Sequence, residues 1–192
     1  ARRQRQMCIR DSIRQLSLFL SSAGVTPKKI EKIQEHFGHK AVSIIKKDPF
    51  RLCEMDGFGF KTVDPIARKV KHFQADNPLR IKAAILYVLK EAEGEGHLYL
   101  EVPEILTRTK PLLLRGDKKG SVTERKIRDA GNSLIKDDKE LICSYTKIYS
   151  KKNYEAEQKA VMQLAALSRY PMQKYNVEKW ISNLEAKENI QL

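Results

Sequence analysis

Apolar residues recur along this chain mostly at the three- and four-residue spacing of helices. Ile13, Leu16 and Leu20 share one face of a first helix, which the small residues Ser21-Ser22-Ala23-Gly24 bring to an end. Thr26-Pro27 has the form of an N-cap with proline at the first helical position. Ile30, Ile33 and Phe37 then make the stripe of a second helix that Gly38 stops. A short helix holding Ala41, Val42, Ile44 and Ile45 follows. Asp48-Pro49 repeats the cap-and-proline start for a helix that runs into Asp56-Gly57-Phe58-Gly59. Residues 13–72 therefore contain one unit twice, helix, short turn, helix, with turns at 23–26 and 56–59.

Beyond the repeat, Asp76-Asn77-Pro78 marks another helix start, with Leu79, Ala83, Leu86 and Leu89 as its buried stripe and Gly94-Glu95-Gly96 as its stop. Residues 97–100 read as a short strand. Helical patterns resume near Pro103 and at Ser121, which has capping-box spacing to Glu124. Residues 140–149 are rich in β-formers and read as a hairpin turning near Thr146-Lys147. Helix, strand, helix, helix, hairpin is the element order of a winged helix, although the loop 110–120 is longer than such a unit needs. Two further helices, 154–169 and 176–190, flank Pro171. Their apolar positions are Val161, Leu164 and Leu167, then Trp180, Ile181 and Leu184. The pattern predicts a mainly α protein in four parts: a disordered or non-native arm over 1–12, a repeat domain over 13–76, a winged-helix-like α+β unit over 77–153, and a helical connector over 154–192.

Composition adds the expected partner class by its charge. Among 192 residues, 41% are hydrophobic and 32% charged, enough for a core and a solvated surface. No apolar run approaches membrane-spanning length and no signal-peptide pattern opens the chain. Cys8, Cys53 and Cys143 make neither a disulfide framework nor a metal spacing, which fits a reducing compartment; the expectation is a cytoplasmic protein with no membrane contact. Net charge is +13, and residues 1–75 hold 16 Lys and Arg against 7 Asp and Glu. Setting aside the arm, with Arg2, Arg3, Arg5, Arg10 and Asp11, weakens that asymmetry without removing it. A polyanion, nucleic acid first, is the expected partner; a merely solvated basic surface is the plain alternative.

The glycine turn offers the chemistry such a partner needs. A very short corner between helices requires positive-φ backbone that glycine takes without strain, so Gly57 and Gly59 are expected to close it. Lacking side chains, they leave amides bare at the start of the next helix, where the helix dipole favours an anion. Lys61 and Thr62 can add a charge and a hydroxyl to the same phosphate. Gly24, Thr26, Lys28 and Lys29 form a weaker second site at the first turn, and Arg68 and Lys69 are expected to add long-range attraction. The competing reading is a corner whose glycines serve packing alone. Phosphate contacts of this type position a protein without reading sequence.

Leu52, Met55, Gly57, Phe58, Gly59, Lys61 and Thr62 resemble the helix–hairpin–helix motif, and Gly24-Val25-Thr26 resembles a degenerate copy without the second glycine. Pro65 departs from the motif, because it falls inside the following helix and predicts a late start or a distortion there. More widely, FLSSAGVTPKKIEKIQEHFG, DPFRLCEMDGFGFKTVDPIA and RIKAAILYVLKEAEGEGHLYL resemble the N-terminal region of RecD-like ATP-dependent DNA helicases, the exodeoxyribonuclease V α-subunit type, over roughly 16–192. That resemblance implies a tandem helix–hairpin–helix and a small winged-helix-like unit ahead of a 5′-to-3′ motor. It implies DNA, single-stranded or at a junction, and the motor domain of the same parent chain as partners. ATP and Mg would belong to that motor, with 154–192 as the connector towards it. No P-loop is present: Gly116-Asp117-Lys118-Lys119-Gly120-Ser121 lacks the lysine and the spacing, so no ATP hydrolysis and no cofactor are expected of this chain.

Three further readings bear on the same residues. A helix–hairpin–helix glycosylase would use Lys61 as a Schiff-base nucleophile of lowered pKa with an aspartate nearby, for which Asp64 and Asp76 are the candidates. A docking scaffold without DNA contact would make the basic surface incidental. The helix over 122–136 carries Arg125, Lys126, Arg128 and Lys136, offset by Asp129, Asp137 and Asp138, so a structural role competes with groove reading. His36 and His39 read as surface histidines, and the aromatics Tyr145, Tyr149, Tyr154 and Trp180 as packing residues before base-stacking ones.

Overall fold

A computed structural model describes residues 13–21, 23–71, 74–115, 117, 120–137, 139–169 and 177–188. The arm 1–12, Pro171 and the side chain of Trp180 lie outside the described residues. Helix α1 covers 13–21 and buries Leu16 and Leu20 completely. Helix α2 (Pro27–Phe37) buries Ile30 and Ile33 and ends at Gly38, whose φ of 60° terminates it at no side-chain cost. Thr26 precedes it in extended backbone, yet its side chain makes no capping hydrogen bond. Gly38–Lys40 is a 3₁₀ turn into α3 (Ala41–Lys47).

The segment expected to be a helix from Asp48 is a 3₁₀ run, Pro49–Glu54. Its cap is as expected, since Asp48 Oδ1 accepts from the Phe50 amide at 2.9 Å. Helix α4 (Phe60–Lys71) starts directly behind the glycine turn and continues through Pro65, which is exposed on its outer face. Pro65 has no N–H for the Lys61 carbonyl, and the helix carries that loss where water can replace the bond.

Helix α5 (Pro78–Gly94) is capped by Asn77, whose Oδ1 accepts from the Leu79 amide at 2.9 Å. It buries far more than one stripe: Arg80, Ile81, Ala83, Ala84, Ile85, Val88, Leu89 and Ala92. Leu79 and Leu86 are only partly buried, so the expected stripe was turned by about one position and too narrow. The cause is packing on several sides, because α5 meets α4, α6, α7 and the sheet. Strand β1 (Tyr99–Glu101), α6 (Val102–Leu114), α7 (Glu124–Lys136), β2 (Leu141–Ser144) and β3 (Lys147–Ser150) complete a small α+β unit. Its antiparallel sheet has the order β1-β3-β2, with Tyr99 opposite Tyr149 and Cys143 opposite Ile148. Helix α7 is capped by Thr123, whose hydroxyl accepts from the Lys126 amide, and not by Ser121, which donates to Asp117 at 3.0 Å. The hairpin turns at Tyr145-Thr146, one residue before the expected place.

One hydrophobic cluster runs from Leu16 in α1 to Ile148 in β3. Residues 1–154 form one compact unit and 155–192 another. In the second unit, α8 (Lys151–Ser168, which begins within the first) leaves Val161, Met162, Leu164 and Leu167 exposed. In α9 (Val177–Glu188), Ile181 and Leu184 are half-buried.

Candidate nucleic-acid interface

The two hairpins are built alike, thirty-three residues apart. Gly24 and Gly57 hold φ of 77° and 86°, and neither would meet an atom if given a Cβ, so backbone conformation alone calls for glycine there. Behind the first turn, the Lys29 and Ile30 amides both reach the Thr26 carbonyl, at 3.0 and 3.1 Å. Behind the second, the Thr62 and Val63 amides reach the Gly59 carbonyl at 2.9 and 3.0 Å. The hairpins also touch, because Lys29 Nζ lies 5.1 Å from the centroid of the buried Phe58 ring.

Gly59 differs from the expectation. Its φ is not positive; what it provides is room, since a Cβ would stand 3.1 Å from Tyr87 Cε2. At the second turn the amides of Gly59, Phe60 and Lys61 precede the first bonded amide of α4, at the end where a helix leaves its N–H groups without helical partners. The first turn offers fewer, because Pro27 has no N–H.

Lys28, Lys69 and the Thr62 hydroxyl-bearing side chain are exposed. Lys61 is exposed too, but its Nζ donates to Glu91 Oε1 at 3.0 Å and lies 5.4 Å from the Tyr87 ring centroid. The bond to Glu91, helped by Tyr87, holds the Lys61 pKa above the ordinary lysine value. Burial pushes Glu91 up, but hydrogen bonds from Tyr87 Oη at 2.5 Å and from Lys61 outweigh it and keep its carboxyl below the ordinary range. Arg68 is turned inward onto Asp64 at 3.3 Å and is only partly exposed.

Asp64 itself belongs to a buried knot around Arg80. The fully buried guanidinium donates to Asp64 Oδ1 at 2.6 Å and Oδ2 at 3.1 Å, to the carbonyls of Ala75 at 2.6 Å and Leu113 at 3.0 Å, and to that of Arg115 at 3.0 Å. Five N–H donors meet five acceptors, so the charge is fully satisfied inside the core. Sequence reasoning missed both Arg80 and Glu91. An arginine standing among the apolar positions of α5 is the signal that could have found the first. Glu91, one helical turn after Tyr87, carries no comparable mark.

Beside the second turn lies an open cleft of about 660 Å³, lined by Gly57, Gly59, Lys82, Lys90 and, at its far side, Glu140 at the foot of β2. Cys53 lines it as well; burial, with Asp48 and Glu54 adding to it, pushes that thiol up to about 12. Among the described residues no cluster of three or more His, Cys, Asp or Glu could hold a metal ion, and His36 packs edge-on against Phe37.

Residues 10–99 match the family described as the ATP-dependent RecD2 DNA helicase HHH domain. Residues 10–99 are a RecD-like helix–hairpin–helix region. An ATP-dependent RecD2 DNA helicase of Deinococcus radiodurans is 34% identical over 88 residues, which are 45% of this chain and 12% of that protein. The matched stretch therefore spans about an eighth of that relative's length. The RecD-like region contains both hairpins, the Asp64–Arg80 ion pair and the whole of α5, and ends at β1.

Proposed function

We propose that this chain is the DNA-binding accessory part of a RecD-like helicase and holds backbone phosphate, without reading sequence, at the start of α4. The observation that carries the reading is the group of helix-start amides at Gly59, Phe60 and Lys61, set beside a positive-φ Gly57 and doubled by the equivalent start of α2. Phosphate would accept from those amides, with Lys61 and Thr62 beside it, and Lys28 and Lys29 would serve the first turn. Lys69 would add attraction at longer range. The α+β unit over 77–153 is read as winged-helix-like and the helices of 154–192 as a connector. ATP and Mg would be bound by a motor elsewhere in the parent, in the cytoplasm.

Docking without DNA is the second reading, favoured by the Lys61–Glu91 pair, which occupies the best-placed charge, and by the apolar residues exposed on α8. Lyase chemistry has little support. It needs a lysine of lowered pKa, whereas Lys61 is raised; Asp64 is locked by Arg80 and Asp76 by Lys126 at 2.5 Å.

The test is fluorescence anisotropy of the full chain with single-stranded, duplex and forked DNA across a salt series, beside a Gly57→Ala/Lys61→Ala variant of verified fold. Each lost phosphate contact lowers the salt slope by about one. Equal binding by both proteins, or binding by neither, hands the site to the docking reading.

A further inference from the structure

The three tyrosines near the hairpin separate sharply by environment. Tyr149 is buried on β3, its ring 5.2 Å from that of Tyr99 and 5.5 Å from that of Tyr154. Tyr145 stands at the tip, 98% exposed, the most exposed large apolar side chain among the described residues. Core packing therefore accounts for Tyr149 and Tyr154 and not for Tyr145.

Its backbone sharpens the point. Ser144 pairs with Lys147, so Tyr145-Thr146 is a two-residue loop, and Tyr145 holds φ of 58° at its first position. Two-residue hairpin loops with positive φ at that position favour glycine, and a bulky side chain there is held against a local backbone preference. The Cys143 thiol donates to the Tyr145 carbonyl at 3.3 Å, and the aromatic packing of Tyr149 anchors the strand behind it. An aromatic ring is thus displayed in water by a turn that glycine would suit better.

The surroundings are basic. Residues 139–152 hold Lys139, Lys147, Lys151 and Lys152 against Glu140; Lys152 is paired with Glu93 at 3.7 Å and Lys147 lies over Tyr99. Exposed Arg128 of α7 lines the groove that Cys143 also lines. Strand β2 follows directly on Glu140, which lines the cleft beside Gly57 and Gly59. Four strand residues, about 13 Å, lead from that cleft to the tip.

We propose that Tyr145 stacks on an unpaired nucleobase of the DNA strand held at the second hairpin. An aromatic projecting among lysines is suited to binding single strands, because every base presents a π-face. The inference rests on the DNA-binding reading above and adds a contact that phosphate binding does not supply.

The experiment uses the full chain and forked DNA carrying 2-aminopurine at successive unpaired positions beside the junction. Stacking changes the emission at one or two positions with the wild type and with Tyr145→Phe. In Tyr145→Gly the change disappears and affinity falls about 5- to 100-fold, with the salt slope unaltered, because stacking is not an ionic contact. Its thermal midpoint stays level or rises, since glycine suits the turn. Tyr145→Asn, also at ease at positive φ, keeps the comparison readable should the glycine variant loosen the hairpin. If Tyr145→Gly binds as the wild type does, with the same salt slope and emission, stacking is wrong and the phosphate reading stands. Absence of DNA binding by the wild type at low salt sinks both. Tyr145-dependent self-association without an emission change reassigns the tip to protein contact and overturns the proposal.

Discussion

Lys61 has two claims on it, Glu91 in the free protein and a phosphate in the proposed complex. The pair is solvent-exposed, so its strength is modest, at most about 1 kcal/mol. Glu91→Gln is therefore expected to tighten DNA binding about two- to fivefold, read by anisotropy at constant salt. The pH sign follows from the directions of the two shifts. Glu91 is depressed, so the pair persists above the carboxylate range and is lost as pH falls through it, freeing Lys61 and strengthening binding in acid. Lys61 is raised, so its own charge is lost only in strong alkali. Gly57 and Gly59 are also separable. Gly57→Ala meets no atom but must hold φ of 86°, costing about 1 kcal/mol, whereas Gly59→Ala presses on the Tyr87 ring at 3.1 Å. A Tyr87→Ala background should relieve the second loss and leave the first, as judged by urea midpoints. Among the cysteines, Cys53 with a pKa near 12 stays a thiol at pH 8, while Cys143 is exposed. Mass spectrometry after alkylation of native protein should find Cys143 labelled and Cys53 labelled only on unfolding.

At the scale of elements, Arg80 joins α4, α5 and the end of α6 through side-chain and backbone acceptors together. Arg80→Met would strand Asp64 and three carbonyls, and a loss of about 3–5 kcal/mol is expected in chemical denaturation. Arg68, at 3.3 Å from Asp64, can take up part of that charge and sets the lower end. The double variant Arg80→Met/Asp64→Leu should recover much of the loss; failure to recover would show that the carbonyls dominate. The repeat, the caps at Asp48 and Asn77 and the hairpin were legible because each depends on residues within one turn of one another. Arg80 was not, since its acceptors lie up to 35 residues away, and neither was the wide burial of α5, which depends on neighbours packed from several directions. Propensity placed the capping box at Ser121, but Asp117 captures that hydroxyl and Thr123 takes the role.

For the whole molecule, net charge was readable from composition, but its availability was not. Lys61, Arg68, Lys126 and Lys152 carry ion-pair partners, whereas Lys28 and Lys69 stand exposed. The salt slope should therefore report a few phosphates only, far fewer than +13 suggests. The same knot that stabilises the fold also sets how this protein can be recombined. Asp64 belongs to the second hairpin's own helix, Arg80 to the helix after it, and the carbonyl of Arg115 to the end of α6. A chimera that transplants the two hairpins into another protein must carry Asp64 and Arg80 together as one inheritable block. A crossover between residues 65 and 80 separates the buried Arg80 charge from its Asp64 carboxylate, and recombination there should be selected against.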